Sequence, residues 1–489
     1  MQMTLNTNSL DDYRLFLKIK SLPRYSITGH VAEFPDEYAD RLGLHQESEH
    51  GKSYAPSENL FDYQRDISKL AIKKQKYAVF ADCGLGKTLI MLEFARHAAT
   101  CLPAGRCVLI VSPLMVVEQT IGEAKRFYGD DLPIEQIHAA GLQEWLTTSG
   151  HVGFRIGITN YEAIREGIRP GKLGALLLDE SSLLKSHYGK WGTRLIDLGK
   201  GLDWKACFTG TPAPNDRIEY ANHAVFLDQF PTVNSFLARY FVNKGQTQER
   251  WVLKPHAIEP FYRSLSHWCI FLTNPATYGW KDNTQNIPPI HIHIHDVDLT
   301  EEQERLAYTD KGWLFANEIG GITNRASMAS IAKGWKGKSA VETKKPEYIR
   351  KLVESWSEES TLIWCLYNKE QDIIEAEFPS AASIRGETPH DERMKLIAEF
   401  KAGMRKVLIS KPKILGFGLN LQIATRQVFS GLQDSYESFY QAVKRSNRIG
   451  STRPLNVHIP VTEIEMPMIE TVLRKAKMVQ ADTDRQEQL

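Results

Sequence analysis

Residues 77–88 read YAVFADCGLGKT, and their reading decides the fold. The apolar run Tyr77 to Phe80 passes into a turn carrying Gly84, Gly86, Lys87 and Thr88, and the amphipathic stretch LIMLEFARHAA follows. Strand, glycine turn and helix in that order wrap backbone N–H groups and a helix N-terminus around an anion. Lys87 then reaches the terminal phosphates of a nucleotide, and the Thr88 hydroxyl suits Mg²⁺. Ala81 replaces the first glycine of the general pattern, but the mechanism needs only the glycines that remain.

Working outward, apolar runs of the same kind recur at RCVLIVS from 106, RIGIT from 155, ALLLD from 175 and KACFTG from 205. Alternating with amphipathic stretches, they predict a parallel sheet covered by helices on both faces. A second series follows at TLIWCLY from 361, KVLIS from 406, RQVFSG from 426 and LNVHIP from 455. The expected fold class is α/β, with two parallel-sheet lobes and a helical insertion and linker between them. The expected divisions are an accessory segment over 1–57, a first lobe over 58–230, the insertion and linker over 231–345, a second lobe over 346–462 and a tail over 463–489, whose charged end, RKAKMVQADTDRQEQL from 474, is expected to fray.

Composition narrows the chemistry. The 489 residues carry 60 Lys and Arg against 59 Asp and Glu, a net charge of +1, so any polyanion site must be local rather than a basic coat. The cysteines at 83, 101, 107, 207, 269 and 365 form no C-x-x-C pair, which argues against a zinc ribbon and a disulfide framework. The start, MQMTLNTNSLDDYR, has no basic leader, and uncharged runs such as Trp268 to Trp280 are too short and polar to span a bilayer. The expectation is an intracellular soluble protein, cytoplasmic or nucleoid-associated, with no membrane contact.

In LGALLLDESS, from 173, an apolar strand ends at Asp179 and Glu180, and ligands of open parallel sheets sit at the carboxyl ends of strands. Asp179 suits Mg²⁺, and Glu180 suits orientation and deprotonation of an attacking water. Near the far end of the chain, Gln441, Arg445 and Arg448 are spaced four and three apart, as residues sharing one helix face would be, and Gly450 can end that helix. Alternate histidines in His291-Ile-His293-Ile-His295-Asp296 invite a metal reading, yet side chains along one strand face fan out, and an exposed alternating strand explains them. Lysines 333, 336, 338, 344 and 345 with Trp335 fit either a solvated hinge or a local nucleic-acid contact.

These pieces fall in a recognisable order. Phe61-Asp-Tyr63-Gln64, the phosphate loop, VLIVSPLMVVEQT from 108, ITNYEAI from 158, DESSLLKS from 179, Thr209-Gly210-Thr211-Pro212-Ala-Pro-Asn215, IRGETPHDERMKLIAEF from 384, Gly416 to Gln422 and Tyr440 to Gly450 resemble the successive motifs of superfamily 2 helicases, and within them the Swi/Snf-type DNA translocases. The resemblance runs from Leu60 to Val461.

It implies two RecA-like P-loop lobes that use ATP and Mg²⁺ to move along DNA, duplex favoured, with single-stranded DNA or RNA as the other substrates. By resemblance Gln64 contacts the base, and Thr209, Gly210 and Thr211 couple ATP state to strand contact. Ser112, Pro113, Thr159, Asn160, Ser410, Lys411 and Asn420 meet nucleic acid. Gln441, Arg445 and Arg448 join Glu180 in catalysis, the arginines as fingers worth roughly 10³ to 10⁵ in rate. Ser181 and Ser182 depart from the family, whose motif II usually ends in Ala-His, so the side chain that couples motifs II and III is shortened. HWCIFLTNPATYGW, from 267, replaces an Arg- and Lys-rich segment. An RNA-dependent ATPase and a nucleotide-gated interaction module remain as alternatives, and a protein partner would supply any downstream chemistry.

Overall fold

The computed structural model describes residues 2–22, 25–34, 42, 44, 53–148, 155–185, 189–245, 250–281, 287–309, 322–415, 420–432, 435–448 and 450–487. Pro23, Pro35 and Tyr38 of the accessory segment, Gly416 to Leu419 of the motif V stretch, and Ile449 lie outside them. The chain forms two compact units, Met1–Asp282 with Ala481–Leu489, and Asn283–Gln480.

In the first unit the strands are β1 (Lys76–Ala81), β2 (Cys107–Ser112), β3 (Ile134–Gln136), β4 (Ile156–Asn160), β5 (Leu173–Asp179), β6 (Trp204–Phe208) and β7 (Cys269–Leu272). They make a seven-stranded sheet in the order β7-β1-β6-β5-β2-β4-β3, parallel throughout. Both faces are buried. Ala78, Phe80, Leu176 and Leu178 belong to one hydrophobic core, and Tyr77, Val79, Ala81, Ala175 and Leu177 to the other. Alternate residues thus enter opposite cores, which is why these strands read as unbroken apolar runs.

The second unit repeats the plan with β8 (Ile290–Asp296), β9 (Thr361–Trp364), β10 (Ala382–Ser383), β11 (Val407–Ser410), β12 (Arg426–Phe429) and β13 (Leu455–Val461). These six strands lie in the order β8-β13-β12-β9-β11-β10, again all parallel. The expected α/β class with two parallel sheets is what the chain adopts.

The stretch 231–345 differs from the insertion and linker expected of it. Its strand Cys269–Leu272 extends the first sheet and Ile290–Asp296 the second. The tail differs too. Rather than fraying, Met466–Glu487 is one helix that buries Met468, Ile469 and Val472 in the second unit. In the first unit, Asp482 accepts from Arg217 and Tyr262, and Glu487 accepts from Thr273. The described residues before 45 hold a small core of their own, with Leu5, Ile19, Leu22, Ala32 and Phe34 between the helix Leu10–Ser21 and a three-stranded antiparallel sheet. No described helix is long and apolar enough to cross a membrane.

Candidate active site

Sheet order assembles the site. The adjacent strands β1, β6, β5, β2 and β4 end, respectively, at the phosphate loop, at Thr209, at Asp179, at Ser112 and at Asn160. Motifs far apart in the sequence thereby become neighbours along one edge of a parallel sheet. Register makes the alignment concrete, since Asp179 pairs with Phe208, and Ser112 with Asn160.

The phosphate loop needs its glycines. Gly84 and Gly86 have φ of 90° and 68°, the left-handed region open to glycine at little penalty. A Cβ at Gly86 would run into the Gln64 side-chain amide. That amide is buried, accepting from Phe61 N–H at 3.0 Å and donating to Leu85 O at 3.3 Å. Gln64 therefore braces the loop through both ends of its amide. Lys87 Nζ donates to Ala81 O at 2.7 Å and Asp82 O at 3.2 Å, folded over the loop at the start of the helix Lys87–Cys101, where Thr88 follows it. Gly210 lies close enough that a Cβ there would sit 3.3 Å from Ala81 O and 3.7 Å from Lys87 Nζ.

Asp179 is 6% exposed, with Oδ2 accepting from Ser112 Oγ at 2.8 Å. Burial, and then the charge of Glu180, push its carboxyl above the usual range, while Lys87 and the Ser112 bond oppose them. Such a carboxylate fits a divalent cation, whose charge would reverse the shift. Thr88 offers a second hard oxygen. No group of three or more His, Cys, Asp or Glu that could hold a metal occurs among the described residues, so this pair would depend on phosphate and water oxygens for the remaining ligands. Glu180 has a positive φ of 50°, and its Oε2 accepts from Thr209 Oγ1 at 3.2 Å. Thr209 Oγ1 also accepts from Thr211 N–H at 3.2 Å, and the buried Thr211 hydroxyl has no hydrogen-bond partner among the described residues.

The predicted nucleic-acid residues divide. The hydroxyls of Ser112, Thr159 and Ser410 are buried and bonded to Asp179, Ile137 O and Ile384 O, so these side chains face inward. Pro113 is buried as the N-cap of the helix Leu114–Tyr128, with Leu114 and Met115 exposed beside it. Asn160 caps the next turn through Ala163 N–H, Lys411 bonds Asn368, and Asn420 is exposed with its amide on Gln422.

Motif VI departs from expectation. The helix Tyr436–Val443 carries Gln441 but ends before the arginines, so Arg445 and Arg448 lie in the turns that follow and share no helix face with it. Buried Ser446 and Asn447 explain the break: Ser446 Oγ accepts from Gln427 at 2.8 Å, and Asn447 donates to Pro288 O at 2.7 Å. Gly450, φ 95°, sits in this turn rather than at a helix end.

Two lysines of the 333–345 cluster fit neither a solvated hinge nor a nucleic-acid contact. Lys345 is buried with Nζ on Glu465 Oε2 at 2.6 Å, and buried Lys333 lies 3.8 Å from Oε1 of the same carboxylate. His293 bonds Asn456, and His295 Nε2 lies 2.9 Å from His458 Nδ1, in a stack that continues to Trp356.

Sequence reading missed three residues that shape this site. Tyr161 donates its hydroxyl to Asp179 O at 2.7 Å, Glu219 accepts from Asn215 N–H and Nδ2 at 2.9 Å each, and His223 Nε2 lies 3.1 Å from Ser181 Oγ. Only Glu219 had a local signal, as the fourth residue of the capping box that opens at Asp216.

The chain is 23% identical over 440 residues to the SWI/SNF-related matrix-associated actin-dependent regulator of chromatin subfamily A-like protein 1 of Drosophila melanogaster, covering 82% of this chain and 52% of that protein. It is 22% identical over 462 residues to Protein CHROMATIN REMODELING 4 of Arabidopsis thaliana, covering 83% of this chain and 20% of that protein. The chain thus spans about half, or less, of the length of these relatives. Among solved structures, the Sulfolobus solfataricus SWI2/SNF2 ATPase core in complex with dsDNA matches 89% of this chain and 96% of its own at 19% identity and a TM-score of 0.39. The helicase conserved C-terminal domain matches residues 344–450 and the SNF2-related domain residues 69–359, more than half of the chain, which therefore belongs to the SNF2-related family.

Proposed function

We propose that this chain is an ATP-driven motor that tracks along duplex DNA with little strand separation. The observation that carries the reading is the row of strand ends in the first unit, where the phosphate loop, Thr209 and Glu180 meet on the same sheet edge as Ser112 and Asn160. A change at the γ-phosphate felt by Glu180 passes to Thr209 through one hydrogen bond, and along the edge to the segments that begin at Pro113 and Tyr161.

In this reading the backbone N–H groups after Gly84 and Gly86 hold the phosphates, and Lys87 leaves its loop carbonyls to do the same. A bound Mg²⁺, held by Asp179 and Thr88, would neutralise charge on the β- and γ-phosphates. Glu180 orients the attacking water and takes its proton, while Arg445 and Arg448 stabilise charge on the transferred phosphoryl group. Because Ser112, Thr159 and Ser410 face inward, DNA is held by backbone amides with Asn160, Lys411 and Asn420.

Steady-state ATP hydrolysis with duplex DNA, single-stranded DNA, RNA or no polymer tests this, joined to displacement of a third strand from a DNA triplex. Duplex-stimulated hydrolysis with triplex displacement is expected. Stimulation by RNA alone would favour an RNA-dependent ATPase, and indifference to every polymer a nucleotide-gated module.

A further inference from the structure

The turn after β5 breaks a local rule. Glu180 has φ 50° and ψ 52°, a left-handed conformation in which a residue bearing a Cβ is strained. Such a conformation persists when its surroundings hold it, and here both neighbours of Glu180 are tied down. On the N-terminal side, Asp179 is fixed by Tyr161 through its main-chain oxygen and by Ser112 through its carboxylate. On the C-terminal side, Ser181 Oγ lies 3.1 Å from His223 Nε2, with both residues fully buried.

His223 is itself well placed. Its ring packs edge-on against Phe80, with centroids 5.3 Å apart, on the strand that feeds the phosphate loop. Its Nδ1 lies 3.4 Å from Glu219 O, and with the proton on Nδ1 the Nε2 atom accepts from Ser181, whose hydroxyl also has the buried Cys207 thiol as a neighbour. Burial pushes the imidazole down to about 4, so it stays neutral and keeps that acceptor near neutral pH. One turn earlier, Glu219 holds Asn215 at the end of motif III. A single short segment therefore grips motif II through His223 and motif III through Glu219.

We propose that His223 is a positioning residue for ATP hydrolysis: by accepting the Ser181 hydroxyl, it fixes the left-handed turn that aims the Glu180 carboxylate at Thr209. Motif II here has only Ser181 and Ser182 after its acids. An imidazole from the helix Tyr220–Phe226 restores a rigid link at that strand end. The inference rests on the reading of this chain as an ATPase given above.

The test uses the full chain and duplex-stimulated steady-state hydrolysis. His223→Phe keeps the ring against Phe80 and removes the acceptor; His223→Gln keeps a polar atom near Nε2; Ser181→Ala deletes the partner hydroxyl. Expected for His223→Phe and Ser181→Ala is a kcat lower by roughly tenfold to a hundredfold, the effect of a misplaced catalytic group. The KM for ATP should stay within about twofold, since the phosphate loop is untouched. His223→Gln should recover most of the loss, and His223→Phe combined with Ser181→Ala should be no worse than either alone.

A wild-type kcat in both His223→Phe and Ser181→Ala would overturn the proposal. So would a loss carried by KM, or an equal loss in His223→Gln, as general packing damage gives. Should His223→Phe fail to fold, Ser181→Ala decides, since it removes one oxygen and reports on the same bond. If the wild-type chain hydrolyses no ATP with any polymer, the ATPase reading itself falls, which is distinct from a working enzyme indifferent to His223.

Discussion

Thr209 Oγ1 donates to Glu180 Oε2 at 3.2 Å and at the same time accepts from Thr211 N–H, joining motif III to the carboxylate of motif II inside one unit. Thr209→Val keeps the buried shape and loses both bonds. Expected is a kcat lower by about tenfold, equivalent to about 1.4 kcal/mol of barrier, with the KM for ATP little changed. Thr209→Ser should restore turnover. Steady-state kinetics with duplex DNA check it, and an unchanged kcat in Thr209→Val would remove this bond from the coupling path.

Lys87→Ala removes the only lysine of the phosphate loop while leaving the strand, turn and helix intact. Hydrolysis should vanish with the far-ultraviolet circular dichroism and melting temperature close to wild type. Arg448→Ala should lower kcat by roughly 10³-fold or more while ATP affinity falls far less, because a finger acts on transition-state charge. Normal turnover in either variant would contradict the site assignment.

The strands legible in the sequence were those buried on both faces, such as Tyr77 to Phe80 and Ala175 to Leu178, where composition alone marks the core. Cys269–Leu272 was hidden because it follows the helix Ile258–Trp268 with no intervening loop. Ile290–Asp296 alternates His and Ile because it is an edge strand with much of its surface exposed, so it read as an isolated piece. Residues of the phosphate loop and of motif II were legible because their chemistry is local. His223, Tyr161 and Asp482 were not, since each acts on a partner far along the chain that no periodicity announces. The arginines of motif VI misled for the opposite reason: their spacing is helical, but the polar residues between them bond elsewhere.

The buried group around Glu465 is a stability element of the second unit. Its Oε2 accepts from Lys345 Nζ at 2.6 Å and Thr462 Oγ1 at 3.1 Å, and Lys333 is the next cation. A Cβ at Gly431 would strike the Lys333 side chain, so a glycine there is what lets the lysine close in. Glu465→Gln removes the carboxylate that Lys345 bonds, leaving buried Glu370 as an opposite charge acting on both lysines, and should destabilise the unit by about 3–5 kcal/mol. Lys345→Met added to Glu465→Gln should recover part of that. Urea unfolding of the full chain measures both, and a loss below about 1 kcal/mol would mean that water reaches the pair.

Near the C-terminal end of the helix Met466–Glu487, Asp482 accepts from Arg217 Nε and Nη2 at 3.0 and 2.6 Å and from the Tyr262 hydroxyl at 2.6 Å. Its side chain is 6% exposed and that of Arg217 31%, so solvent screens one partner only. Asp482→Ala should destabilise the first unit by about 2–3 kcal/mol, less than a fully buried pair would. Arg217 begins two residues after Asn215, so the same variant should also weaken ATP turnover. Stability loss with turnover unchanged would make the docked segment a purely structural brace.

The imidazole stack of the second unit predicts a pH dependence with a definite sign. Burial first, and then His293, His295 and Arg426, push His458 down to about 3, with Glu359 opposing. Tyr348 also faces the group, through His295 Nδ1 at 3.3 Å. In the unfolded chain this histidine titrates near about 6.5, so below that pH the unfolded state binds the proton and the native state does not. Its contribution is therefore complete above about 6.5 and declines by about 1.4 kcal/mol per pH unit as pH falls toward the folded value. His458→Phe keeps the stack on Trp356 but cannot take up a proton. Relative to wild type the variant should gain stability by about that slope between pH 6.5 and 5, before ordinary carboxylates titrate. Urea unfolding across this range measures the difference, and a gap that stays constant with pH would mean His458 is free to protonate in the folded protein.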